Sequence, residues 1–196
     1  GGEESTCGLN GSGLSTCWGD MSFGLDQPPA FALARLDVGD DHACGLALTG
    51  SPVCWGQDTF GQATPPSGSQ YIAITSGTLH SCGLTLAGVV ECWGVDDFSG
   101  RDFGQVRDTP TQSGFTAVSA GAYFTCAINN NGAIGCWGDD AVGQVSGIPS
   151  GTFIALSAGA GHACAIDSTQ QVQCWGDDLQ GQASPPAGLI ASRISS

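Results

Sequence analysis

The 196-residue chain carries 32 glycines, 10 cysteines, four arginines, no lysine and a formal net charge of −14. At 41 % hydrophobic residues it can bury a core, unlike disordered acidic chains, which are poorer in apolar side chains. So few cations exclude a nucleic-acid backbone or an anionic membrane surface as partner, and no apolar run reaches transmembrane length.

Taken in chain order, the first predicted element is a hairpin over residues 2–19, turning at Asn10-Gly11-Ser12-Gly13. A strand in "FALARLDVG" then leads into a hairpin over 39–56 that turns at Thr49-Gly50-Ser51. "YIAITSG" leads into a hairpin over 77–94, turning at Ala87-Gly88. "FTAVSAG" precedes 121–138 with "NNNG" at its tip, and "FIALSAG" precedes 159–176 with "DSTQ". The strands are rich in β-branched and small residues, and the tips are turn formers. No segment has a helical period. Each hairpin ends in Cys-Trp-Gly, at Cys17, Cys54, Cys92, Cys136 and Cys174, so the copies follow at intervals of 37, 38, 44 and 38 residues. A longer connection with Gly-Gln, often followed by Pro-Pro, joins one copy to the next.

Small sheets repeating about every 38 residues predict an all-β, five-bladed β-propeller with three or four strands per blade, as one domain over 1–196. A β-helix would want shorter, more uniform coils. The first copy has a hairpin but no strand before it. The chain ends in "LIASRISS", similar to "FALARLDVG", with Arg193 at the place of Arg35. A closing strand over 189–196, carried by Ile190, Arg193 and Ile194, is therefore expected to complete the first blade. The start at Gly1 without methionine reads as a processed or trimmed form.

Each Cys-Trp-Gly cysteine has a partner ten positions earlier, which uses all ten. An even separation centred on a hairpin turn sets the two opposite each other, within disulfide reach. The expected bridges are Cys7–Cys17, Cys44–Cys54, Cys82–Cys92, Cys126–Cys136 and Cys164–Cys174. Zinc is the competing reading, but no paired CxxC spacing occurs. Bridges imply an oxidising compartment, secreted or at the cell surface. Trp18, Trp55, Trp93, Trp137 and Trp175 each follow a cysteine and point to the opposite face, where a neighbouring blade would make them core.

The pattern "SAGxGHACAI…G…CWG…GQ" resembles the repeat of the regulator-of-chromosome-condensation propellers over essentially the whole chain, with cysteines at two strand positions. The short repeat looks closest to secreted bacterial members, such as the β-lactamase-inhibitory propeller. The resemblance implies architecture rather than function, and five copies stand against the family's usual seven blades.

The candidate chemistry is thin. His42, His80 and His162 share one repeat position, held by Ser5 and Phe124 elsewhere, which favours scaffold over metal. Asp58, Asp96, Asp140 and Asp178 recur three residues after the tryptophan. Asx turns are the favoured role, and weak calcium binding at this acidic rim is the alternative. No other cofactor is expected. No nucleophile elbow and no asymmetric carboxylate pair occurs, so an enzyme is not expected. The third copy's connection, "VDDFSGRDFGQVRDTPTQSG", is about six residues longer than its equivalents and holds Phe98, Arg101, Asp102, Phe103 and Arg107. It is either a solvated insertion or an interaction loop, since aromatics and Arg anchor interfaces. Arg35 and Arg193, against Ala73, Ala117 and Ala155 in the other copies, are expected to pair with acidic neighbours, with an anion near the axis as the alternative. Asn10 heads a glycosylation sequon at a hairpin tip.

The functional expectation is a non-catalytic extracellular binding or structural module offering loop faces to a protein or glycan, as a lectin or inhibitor-type propeller would. The alternative is a self-associating surface or filament subunit that shares its C-terminal strand with the next copy.

Overall fold

A computed structural model describes residues 5–195. Their strands are β1 (Ser5–Leu9), β2 (Ser15–Gly19), β3 (Leu33–Val38), β4 (His42–Ala47), β5 (Pro52–Gly56), β6 (Tyr71–Ser76) and β7 (His80–Thr85). They continue with β8 (Val90–Gly94), β9 (Phe115–Ala120), β10 (Phe124–Asn129), β11 (Ile134–Gly138), β12 (Phe153–Ala158), β13 (His162–Asp167) and β14 (Val172–Gly176). Four sheets are antiparallel triplets, β3-β4-β5, β6-β7-β8, β9-β10-β11 and β12-β13-β14, while β1 and β2 stand as a pair. Each sheet is one blade. The inner strands β3, β6, β9 and β12 line a central channel of about 530 Å³.

The burial pattern follows from stacking. The middle strands β4, β7 and β10 are buried at five consecutive residues, because a neighbouring blade covers each of their faces. The inner strands carry a register shift near their outer end, between Leu33 and Arg35, Tyr71 and Ala73, and Phe153 and Ala155. The bulged residue leaves the ladder, which explains why Ile72 and Ile154 are exposed. Within each hairpin the cysteines are directly opposed and joined, with Cα atoms 4.0–4.1 Å apart.

Four apolar clusters fill the seams between consecutive blades. Leu33, Val38, Ala43 and Trp55 pack with Leu9 and Cys17 at the first seam. Leu46, Tyr71, Ile74 and Trp93 fill the second. Leu84, Phe115 and Trp137 fill the third, and Phe124, Ile128, Phe153 and Trp175 the fourth. At about 25 cal/mol per Å² and roughly 200 Å² per indole, each buried tryptophan contributes about 5 kcal/mol of transfer free energy.

The chain passes from blade to blade by one repeated bond. The first residue of each inner strand donates its N–H to the carbonyl of the preceding hairpin tip: Leu33 to Gly13, Tyr71 to Gly50, Phe115 to Gly88 and Phe153 to Gly132, all at 2.8–2.9 Å. Those tip glycines have φ between 76° and 85°. Gln170 takes the same left-handed turn (φ 69°), and its carbonyl accepts from Ala191 at 2.9 Å.

The C-terminal segment differs from expectation. Ile190 makes a single antiparallel bridge to Gln171, Arg193 is exposed, Ile194 is half-buried and Ser195 lines the channel. The bond from Ala191 to Gln170 repeats the one that starts each inner strand, yet among the described residues the segment adds no strand to β1 and β2.

Candidate interaction surfaces

The loops that follow the outer strands share a bracket built on Gly-Gln. The buried Gln62 side chain accepts from the Phe60 amide (2.9 Å) and donates to Gln57 Oε1 (3.1 Å). Gln105 accepts from Phe103 (2.7 Å) and donates to the Arg101 carbonyl (2.9 Å), and Gln144 accepts from Val142 (2.9 Å) and donates to Asp139 Oδ2 (2.9 Å). So fixed, the Gln main-chain carbonyl receives the indole of the next blade. Trp93 donates to Gln62 O (3.0 Å), Trp137 to Gln105 O (3.0 Å) and Trp175 to Gln144 O (2.9 Å). Trp55 donates to Leu25 O at 3.2 Å. The Gly-Gln motif is legible in the sequence without its role; the spacing of 31 or 32 residues from each Gln to the next Trp was the available signal.

Trp18 departs from the core position expected of it and is 56 % exposed. Among the described residues no preceding blade meets its face, whereas the other four indoles are buried in seams.

The histidine position serves the seams too. His42 Nε2 lies 2.7 Å from Ser81 Oγ, and His80 Nε2 lies 2.8 Å from Thr125 Oγ1. Burial pushes His42 down to about 4, with Asp58 opposing, and His80 to about 3, with His42 adding to burial. Both stay neutral, and because the Ser81 hydroxyl donates onward to the Gln62 carbonyl, His42 donates to it from Nε2. At the channel the inner strands also join side chain to backbone. Asp37 Oδ2 accepts from Ser76 N (2.7 Å), Thr75 Oγ1 from Ala120 N (2.9 Å) and Ser119 Oγ from Ala158 N (3.0 Å).

The recurrent aspartates close their own loops. Asp58 accepts from Ala63 N and Thr64 Oγ1, Asp140 from Val145 N and Ser146 N, and Asp178 from Ala183 N and Ser184 Oγ. The amides of Ser146 and Val145 lower the Asp140 carboxyl, and the Ser184 hydroxyl and Ala183 amide lower Asp178. Asp96 instead faces Arg107, 3.5 Å away. No three His, Cys, Asp or Glu side chains converge as a metal-binding group among the described residues. The Asn10 side-chain Oδ1 accepts from Ser12 and Leu14, which leaves this exposed residue fixed at its hairpin tip. Arg35 and Arg193 are exposed, and neither is in an ion pair among the described residues, contrary to the pairing expected of them.

The third blade's insertion has the most distinctive surface. The Arg107 guanidinium lies 3.0 Å from Asp102 Oδ2 and 3.8 Å from Asp108, with its carbon 4.7 Å from the centre of the Phe98 ring. Burial opposes the Asp102 charge, but the amides of Gly104 and Phe98 and the Arg107 guanidinium outweigh it and lower the carboxyl. Phe98 sits at φ 57°, its amide donating to Asp102 Oδ2 at 2.8 Å, and its side chain is 80 % exposed. Phe103 meets Tyr123 edge-on at 5.6 Å, and Arg101 is exposed.

The family model for the regulator of chromosome condensation (RCC1) repeat matches residues 34–62, 115–144 and 153–182, in the second, fourth and fifth blades. No curated protein matches the chain. Among solved structures, the entire ectodomain of the Physcomitrella patens receptor kinase CR4 is 30 % identical with TM-score 0.80. That match takes in 100 % of this chain and 54 % of that one. The CRINKLY WD40 ectodomain of the Arabidopsis thaliana receptor kinase ACR4 is 26 % identical with TM-score 0.69, over 90 % and 61 %. Prp20p of Saccharomyces cerevisiae, described with its binding to Gsp1p and histones, shares the fold at 18 % identity and TM-score 0.71, over 89 % and 56 %. The chain thus spans little more than half the length of these proteins. Its repeated sheets and bracketed seams make it a β-propeller, and three of its five blades are similar to the RCC1 repeat.

Proposed function

We propose that this chain is a non-catalytic protein-binding propeller of the extracellular space, and that it meets its partner through the loop end of its blades at Phe98, Arg101, Asp102, Phe103 and Arg107. The observation that carries the reading is the Phe98 conformation. A large aromatic is held in the left-handed region by Asp102 and presented to solvent under a stacked guanidinium. Backbone strain of this kind costs on the order of 1 kcal/mol and persists where surrounding bonds over-determine it, commonly at binding sites. Five disulfides support an oxidising setting, as does likeness to two receptor ectodomains.

A photo-crosslinking residue at position 98, with the same residue at position 72 as control, tests this against the secreted proteins of the source cells. A protein adduct formed at 98, competed by the unlabelled chain and absent at 72, is expected. Equal labelling at both positions, or none at 98, overturns the reading; binding on a glycan array abolished by Phe98→Ala would replace the protein partner by a sugar.

A further inference from the structure

Each seam inside the chain pairs the residue that opens one middle strand with the second residue of the next one, and these pairs match in kind. His42 faces Ser81 and His80 faces Thr125, a ring nitrogen to a hydroxyl in both cases. At the other two seams the same positions hold Ser5 with Ala43, and Phe124 with Ala163. Histidine is followed by a hydroxyl, and a residue other than histidine by alanine. Two members of the series remain, His162 on the fifth blade and Thr6 on the first. By the rule of the other seams they belong together.

Three further observations place complementary halves of a seam on the same two edges. Trp18 is the exposed indole, while its four counterparts donate to the loop carbonyl of a preceding blade. On the fifth blade, Gln182 makes the accepting half of that bracket, from Gln180 N at 2.8 Å, and stands where the other glutamines offer their carbonyl to an indole. The bond from Ala191 to Gln170 repeats the one that elsewhere starts the next blade's inner strand, and Ser195 reaches the channel wall with the inner strands of four blades. β1 and β2 have no inner strand among the described residues.

We propose that copies of this chain join head to tail, the fifth blade of one receiving the first blade of the next, with His162 against the partner's Thr6 hydroxyl. The indole of Trp18 donates to the Gln182 carbonyl of the neighbouring copy, and residues 192–195 lie along its β1 as the missing inner strand. The contact is a fifth seam of the kind the chain already builds four times. It is heterologous, so it propagates until a ring closes or a filament grows. The charge of −14 repels like copies at a distance, so added salt strengthens the assembly. This inference is independent of the loop-end reading above.

Light scattering after size exclusion, over a range of protein and salt concentrations, tests it. A mass rising in steps from the 19.7 kDa of one chain is expected. Thr6→Ala or His162→Phe alone leaves a buried polar group unpaired and weakens association by about tenfold or more. Together they recreate the Phe124–Ala163 pair and restore it to within a few-fold. Trp18→Glu and His162→Glu each block one edge, at residues that are not fully buried in the single copy, and near-UV circular dichroism reports that they fold. Each alone stays a single chain, and their equimolar mixture gives a dimer. A mass of one chain under all conditions overturns the proposal, whether closure within the chain or another protein covers Trp18. So does a mixture that fails to pair, or a double variant that associates no better than the single ones.

Discussion

His42 Nε2 lies 2.7 Å from Ser81 Oγ across the seam between the second and third blades, 39 residues away in the chain. The hydroxyl continues to the Gln62 carbonyl at 3.1 Å, where the Trp93 indole also ends at 3.0 Å. One seam thus joins two blades and a loop through a single acceptor. Ser81→Ala leaves the buried imidazole N–H without a partner and should lower stability by about 1–3 kcal/mol in urea titrations. Adding His42→Phe should recover most of that loss, because the Phe124–Ala163 seam already uses this combination. A double variant no more stable than Ser81→Ala would separate the histidine from the hydroxyl.

The buried histidines also set a pH dependence. Burial lowers His42 to about 4 and His80 to about 3, below the ordinary value of 6.5, so the unfolded chain takes up protons first. Their stabilising contribution is complete above the unfolded value and declines as pH falls towards the folded ones. Asp37 works the other way, since burial raises its carboxyl despite the Ser76 amide, and it favours the fold at low pH. Comparison with the double variant His42→Phe/Ser81→Ala cancels Asp37. The stability difference between wild type and double variant should shift by about 2 kcal/mol from roughly pH 7.5 to 5, the wild type losing more. Parallel curves would mean that His42 titrates normally in the folded state.

The disulfides should differ in weight although every loop has the same length. Closing a loop of about ten residues stabilises by roughly 2–3 kcal/mol in the chain-entropy view. Cys126 is fully buried in the fourth seam, whereas Cys7 and Cys17 are only half-buried on the outermost blade. Paired Cys→Ala replacement at 126 and 136 should therefore cost about 1 kcal/mol more than at 7 and 17, through lost packing. Thermal unfolding of the two variants, measured without reductant, compares them.

The parts of this fold that are legible in the sequence lie within one hairpin. Cys44 and Cys54 face each other because their turn is centred between them, and that spacing can be read directly. Trp18 shows the limit. Its strand reads like the other four, yet its exposure depends on whether a preceding blade meets it, which no residue of its own hairpin encodes. The seam pairs lie 39 and 45 residues apart and become visible only when consecutive copies are compared at different positions. "LIASRISS" reads as an inner strand by composition, and the left-handed Gln170 starts it with the bond that glycine tips make elsewhere, yet among the described residues it joins no hairpin.

The insertion after β8 tests whether Phe98 is presented or merely exposed. Arg107 and the Phe98 amide meet on the same oxygen of Asp102, and Gly104 donates to the other. Arg107→Ala should lower global stability by no more than about 1 kcal/mol, because Arg107 is itself partly exposed and the covered Asp102 carboxylate keeps the amides of Phe98 and Gly104. It should still speed amide exchange at Phe98 and Phe103 by severalfold, since the guanidinium that covers the ring and holds the carboxylate is gone. Gly104→Ala should do more. At φ 87° a side chain is strained, and the added Cβ would meet the Asp108 carboxylate, which forces the loop open. Chymotrypsin cleavage after Phe98 and Phe103 should then become fast in Gly104→Ala, intermediate in Arg107→Ala and slow in the unmodified chain. Equal cleavage in all three would mean that the Asp102 bonds do not hold the aromatic in place and that its exposure is that of a loose loop.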